Sequence, residues 1–415
     1  MATLGVKEVL MPDQDLFDVL AQPENLSDPY PFYTWLRAKH PVYLNPNGTA
    51  YVSSYEHAAL LRDPNIRDAA EDDASSYALR TINQTLIKSV PPRHTELRRV
   101  GAAAFDRSLL SRANVQLRKE AEGLADQLAT TLAEQGTADL HSQYSLPFTL
   151  NAAATVFGIP DEDFDTLAVL PARIFQALYP KTTPAARADA DEASRTLFSY
   201  MKNAVCQRRF THDSGFARLT DASDGIPAVD VALLCWLLWA ASYTSALAAI
   251  DLAVLTLIDH PDTVAVLRNN PSAWIEEALR YRSPHVINSI NLTTSRDMTI
   301  GGVTLPAHTP IRFLIAAMNR DEAVFPHPDT FDPRRTGAPH IAFGKGIHTC
   351  IGAQLARMEL MTALTTLATR LPRLTLASQP SWCSYTTQRL CSSLPVAADS
   401  PQQAYSGSAG TVDGS

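Results

Sequence analysis

Residues 340–360 read HIAFGKGIHTCIGAQLARMEL, from His340 to Leu360. Gly344, Gly346 and Gly352 surround a single cysteine, Cys350, as expected of a loop whose backbone passes close to something bulky. Beyond Gly352 the apolar residues Leu360, Leu364, Leu367 and Leu371 recur with helical spacing. Cys350 therefore stands just before a helix N-terminus, where backbone N–H groups and the helix dipole favour a thiolate. That is an environment for a metal ligand. Two blander readings fit the same residues: a small buried hydrophobe in a glycine-rich loop, or a zinc site from His340, His348 and Cys350. For zinc, the His-x-Cys pair has no second cluster at the standard spacing.

The rest of the chain narrows the class. Its 415 residues are 46% hydrophobic and 19% charged, a globular composition. With 35 basic and 43 acidic residues the net charge is −8, so no global field draws it to nucleic acid or anionic lipid, although a local basic face remains possible. The other cysteines, Cys206, Cys235, Cys383 and Cys391, form no CxxC pair, so neither a disulfide framework nor a zinc ribbon is expected and a reducing cytoplasm is the simplest compartment. Met1–Leu10 has neither a basic leader nor an apolar run, so export is not expected. Val231–Ile250 carries no charge over 20 residues, long enough for a membrane span. Asp230 and Asp251 bracket it and four hydroxyls interrupt it, so we read it as a buried core helix, with no membrane partner.

Two hairpins are expected, Pro41–Leu44 with Thr49–Ser53 around Gly48, and Met298–Ile300 with Val303–Leu305 around Gly301-Gly302. Ile311, Phe313 and Ile315 alternate as a further strand. Between them lies helical pattern, including Arg107–Gln135 and Ala185–Gln207, with loops at Tyr179–Pro184 and Thr211–Pro227. The fold class is thus mainly α with small β-sheets (α+β): one domain over residues 1–398 and a disordered Ser/Gly/Gln-rich tail over 399–415.

Phe343-Gly344-x-Gly346-x-His348-x-Cys350-x-Gly352 resembles the cysteine-ligand loop of the cytochrome P450 family, the haem-thiolate monooxygenases. Glu277-Ala278-Leu279-Arg280 resembles the family's ExxR pair, on a helix that starts at Asn270-Pro271 and stops before Pro284. Phe325–Pro333 resembles its meander, and Pro92-x-His94-Thr95-x-Leu97-Arg98 its helix C motif. The resemblance spans roughly residues 25–398 and implies a bacterial-type P450 fold with a long central helix over the haem.

The resemblance makes Cys350 the axial iron ligand of haem b, and Phe343, Gly344 and Gly352 the rest of the ligand loop. It makes His94, Arg98 and His348 the propionate partners; without it, Arg98 reads as a solvated helix charge. The arginine that the family places five residues before Asp297 is here Leu292. The uncharged segment aligns with the family's central helix, whose motif Ala/Gly-Gly-x-acid-Thr becomes Ala240, Ala241, Ser242, Tyr243, Thr244. The alcohol is present and the acid is not. A carboxylate relays protons far more readily than a phenol of pKa about 10, so proton delivery is expected through Thr244, Ser245, water or the substrate; Tyr243 either joins that relay or faces away and packs.

Substrate-facing segments, by the same resemblance, are Ala69–Val90, Leu170–Ala188, Leu237–Thr244, Val286–Ile290 and the tip at Thr386-Thr387. Polar residues there, among them Asn83, Gln84, Asn288, Ser289 and Gln388, suit a small, polar or heteroaromatic natural product such as a phenol or cyclic dipeptide. Electrons are expected from a separate ferredoxin and ferredoxin reductase with NAD(P)H, docked on a basic face that includes Arg99, Lys345 and Arg357. The missing acid leaves oxidative coupling or cyclisation and simple hydroxylation as equal readings. A peroxide-driven peroxygenase, or a haem sensor or electron carrier without turnover, stand as alternatives.

Overall fold

Asp106 accepts hydrogen bonds from the amides of Ser108 (2.9 Å) and Leu109 (3.2 Å) and so opens a helix spanning Arg107–Gln135; Gly136, at φ +76°, closes it in a left-handed cap. Its buried stripe, including Leu110, Leu117, Ala121 and Leu128, packs on the helix Ala353–Arg370 that follows the cysteine loop. Polar ties fix the register of this packing: Tyr144 Oη donates to the Ala363 carbonyl (2.9 Å) and Thr362 Oγ1 to Asn114 Oδ1 (2.8 Å). The computed structural model describes residues 14–68, 75–179, 182–288, 291–383 and 387–398. The expected tail at 399–415, Ser289, Thr386 and the start of the Ala69–Val90 segment lie outside the described residues.

Helices dominate, and the strands gather into small sheets. The largest sheet orders Val42–Leu44, Ala50–Val52, Pro310–Phe313, Leu292–Thr294 and Ile66–Asp68, antiparallel throughout except where Ala50–Val52 runs parallel to Pro310–Phe313. Both expected hairpins form. The strand at Ile311 ends at Phe313, because Ile315 opens a one-turn helix, Ile315–Met318. The stretch 211–227, read as a loop, contains the helix Gly215–Asp221. Ser214 Oγ caps Ala217 N (3.4 Å), and a β-carbon on Gly215 would lie 2.9 Å from the carbonyls of Ala104 and Val156, so only glycine fits that approach.

The uncharged segment forms the centre of the molecule. Ala228–Ser242 and Thr244–Asp259 follow each other with a one-residue interruption at Tyr243 (φ −105°, ψ −33°). By length and composition Ala228–Asp259 passes for a membrane span, yet 72% of its most apolar window is buried inside the fold, which makes it a core helix. Being apolar all round, it needs partners on every side. Trp236 Nε1 donates to the Ser194 carbonyl (3.3 Å) and Trp239 Nε1 to that of Leu167 (3.0 Å), holding its first half to helices above it.

Candidate active site

The cysteine loop is set by its glycines. Gly344 and Gly346 take φ of +72° and +89°, and a β-carbon on Gly346 would come 2.8 Å from the Leu61 carbonyl. The turn brings Cys350 N to the Phe343 carbonyl (2.9 Å), and Gly352 caps the helix Ala353–Arg370. Burial pushes the Cys350 thiol up, while the Gly352 amide and the Arg98 and Arg357 charges act to lower it. One face of the cysteine stays accessible despite this depth.

Two carboxylates hold the loop from behind. Glu277 and Arg280, both buried, pair through Nε–Oε2 at 2.7 Å and Nη2–Oε1 at 2.8 Å. Arg280 also donates to the carbonyls of Asn319 and Pro328 (both 2.9 Å), and Glu277 Oε1 accepts from Asp332 N (3.0 Å) and Arg335 Nε (3.1 Å). The ExxR pair is thus a three-residue hub that stitches its helix to the meander. The sequence reading missed Arg335; its signal was the Arg334-Arg335 pair directly after the meander. Glu276 was missed as well. It binds Arg357 through both oxygens (2.6 and 2.9 Å) and His340 Nε2 (3.1 Å). Burial raises its carboxyl, but these bonds overcome that and hold it at about 2.

These contacts bear on two of the sequence readings. His340 is committed to Glu276 and, through Nδ1, to the Ala342 amide (3.2 Å), so it is not a zinc ligand; among the described residues no cluster of three or more His, Cys, Asp or Glu could hold a metal ion. Arg357 pairs with Glu276 and stacks 4.4 Å over the Phe343 ring, and Arg99 is exposed.

The helix Arg93–Ala102 brings the other basic residues to the loop. Arg98 Nη2 donates to the carbonyl of Thr349 (2.8 Å), next to Cys350, and the rings of His94 and His348 meet edge to face at 4.8 Å. Leu292 is buried in its strand, and beside it Lys88 Nζ donates to the Asn291 carbonyl (3.3 Å).

On the central helix, Ala240 is buried but Ala241 is exposed, an accessible surface in the middle of a core helix. Thr244 Oγ1 is buried with no hydrogen-bond partner among the described residues, a costly state for a hydroxyl unless a ligand or water meets it. Ser245 is half-buried. Tyr243 is buried beside the segment Leu170–Ala188: burial pushes its phenol up to about 12, with the Ala172 backbone acting to lower it and Tyr179 to raise it.

An accessible sulfur at a helix N-terminus, cationic and imidazole side chains gathered beside it, and an accessible alanine with an unpaired hydroxyl on the core helix together fit a thiolate-bound haem and its propionates. The comparisons agree. The family description "Cytochrome P450" matches residues 272–379. The biotin biosynthesis cytochrome P450 of Bacillus subtilis is 30% identical over 374 residues, covering 86% of this chain and 92% of the relative. The cytochrome P450 monooxygenase PikC of Streptomyces venezuelae is also 30% identical, covering 85% and 86%. The structure of P450BioI, in complex with an acyl carrier protein ligated to hexadec-9Z-enoic acid, superposes with a TM-score of 0.82 at 29% identity, over 91% of this chain and all of that one. CalO2 gives 0.82 at 25% identity, over 94% and 99%. On this identity and coverage the chain belongs to the cytochrome P450 family, enzymes that hold haem b through a cysteine thiolate.

Proposed function

We propose that Cys350 supplies that thiolate and that the enzyme oxidises a small, polar or heteroaromatic natural product by oxidative coupling or ring formation. Haem b bound through a thiolate activates dioxygen, the sulfur's electron donation favouring O–O cleavage. His94, Arg98 and His348 hold the propionates, and Lys88, beside the apolar Leu292, supplies the cation that a carboxylate on that side needs. Phe343, Gly344 and Gly352 shape the loop, while Ala240 and Ala241 keep the opposite wall low.

The unpaired Thr244 hydroxyl carries the reading of the reaction. With no carboxylate in the adjoining positions and no partner among the described residues, Thr244 Oγ1 takes its hydrogen bond from water or from the substrate, with Ser245 one residue further along. A substrate bringing its own N–H or O–H to that hydroxyl completes the proton path, and loss of hydrogen from such groups is the start of coupling chemistry. The biotin-biosynthesis relative supports a place in biosynthesis. Separate ferredoxin and ferredoxin reductase deliver electrons from NAD(P)H in the cytoplasm, with the exposed Arg99 and Ile347 on the cysteine-loop side as docking residues.

The test is turnover under labelled dioxygen with surrogate ferredoxins. Coupling leaves no dioxygen atom in the product; incorporation of one labelled atom per turnover overturns it in favour of hydroxylation. Absence of steady-state NADPH consumption would point to a sensor or electron carrier, and turnover with peroxide alone to a peroxygenase.

A further inference from the structure

Arg389 precedes the strand Cys391–Ser393, which pairs with Ser381–Trp382. Its amide donates to the Pro284 carbonyl (2.8 Å), and its Nη2 to the carbonyl of Ser27. The guanidinium stacks over Trp382 (4.5 Å) and Tyr30 (5.7 Å). Its Nε and Nη1 are buried and have no hydrogen-bond partner among the described residues, and the same holds for the hydroxyls of Tyr30 and Tyr33. These two rings meet edge to face at 5.9 Å. Beside them lies a narrow cleft of about 20 Å³, room for roughly one water molecule inside its mouth, lined by Asn25, Tyr33, Val286, Trp382, Gln388 and Arg389.

The neighbouring charges are already committed. Arg282 pairs with Asp259 (2.6 Å) and Arg320 with Asp329 (2.7 Å). Asp28 is near enough to act on Arg389 through space, but it forms no ion pair with it among the described residues. The cleft therefore gathers a cation with two open N–H groups and the Tyr33 phenol, with the unpartnered Tyr30 phenol alongside, and leaving these donors unmet costs free energy. An oxygen anion meets all of them, and a flat aromatic wall such as Trp382 suits the carbon chain behind it.

We infer that this cleft is a carboxylate-binding subsite, in which Arg389 pairs with the acid group of a ligand and the Tyr30 and Tyr33 hydroxyls donate to it. Val286 and Gln388 come from segments assigned above to the substrate, so the ligand is the acid end of a substrate chain; that extension alone rests on the proposed function.

Calorimetry on the haem-loaded enzyme tests the site with acetate, hexanoate and the neutral hexanamide. Both acids should bind and the amide should not. Arg389→Gln should weaken hexanoate by about tenfold or more, with partial recovery in Arg389→Lys, since a charge-assisted bond is roughly twice as strong as a neutral one. Tyr33→Phe should weaken it by about threefold and decides the matter if Arg389→Gln does not retain haem. Acids binding no better than the amide would mean that water fills the cleft and would overturn the site, as would wild-type affinity in both Arg389→Gln and Tyr33→Phe. A shift of the haem Soret band on adding hexanoate supports the substrate role; binding without a shift keeps the carboxylate site and overturns that role. Binding is read without turnover, so the labelled-oxygen experiment can fail without touching this result.

Discussion

The two sides of the candidate site are built to opposite rules. Behind the cysteine loop the ExxR carboxylate is fully bonded: Glu277 alone receives Arg280, Arg335 and the Asp332 amide. On the central helix the Thr244 hydroxyl has no partner among the described residues, and the residue before it breaks the helix. The first side holds a fixed geometry that any substrate uses. The second leaves its hydrogen bonding to be completed by what binds, so chemical variation concentrates there.

The sharpest way to break this contrast is Cys350→Ser, which should abolish substrate oxidation and remove the red-shifted, thiolate-type Soret band of the reduced carbon monoxide complex. A mutant that keeps the band would place the ligand elsewhere. Next in size, Arg280→Ala leaves Glu277 charged and buried with only Arg335 as a cationic partner. Breaking a buried pair costs about 3–5 kcal/mol, so haem-loaded protein should be lost from expression, and a folded, haem-replete mutant would contradict the hub's role.

Thr244→Ala should lower product formed per NAD(P)H by about tenfold or more, the scale of a lost proton-transfer group. Tyr243→Phe should leave that ratio unchanged; a comparable fall in both would put the phenol back into the relay. The smallest effect belongs to Glu276. Its carboxyl sits at about 2 in the fold against an ordinary 4.5, so its contribution to stability is fully present above 4.5 and fades as pH falls from there toward 2. The gap in urea midpoint between wild type and Glu276→Gln should therefore narrow on acidification through that window, and a gap independent of pH would mean that packing, not charge, holds Arg357 and His340.

Local signals were legible in the sequence. The helix Arg107–Gln135 and the hairpin turning at Gly301-Gly302 stand where periodicity and turn residues put them, because caps and turns act over a few residues. Cys350 stood out through three glycines and a following helix, but other readings fitted the same residues, and only the resemblance to the P450 ligand loop chose among them. What could not be read required distant partners. Nothing near Glu276 announces Arg357 and His340, 81 and 64 residues away. The helix Gly215–Asp221 was hidden in a polar stretch whose only mark is the Ser214 cap. Tyr243 could be noted as an unusual residue, but its direction depends on the backbone at Ala172, which lies on another helix.

The interruption at Tyr243 also divides the molecule mechanically. Up to Ser242 the central helix is bolted by its two tryptophans to Ser194 and Leu167, in the helices that cap the fold. From Thr244 onward it packs on Ala353–Arg370 and Pro271–Tyr281, the base that carries the cysteine loop. The single non-helical residue, Tyr243, is the seam between the part of the helix tied to Ser194 and Leu167 and the part packed on the base. Amide exchange should then be fastest, within this otherwise slow helix, at the few positions around residue 243, and substrate should slow it there first.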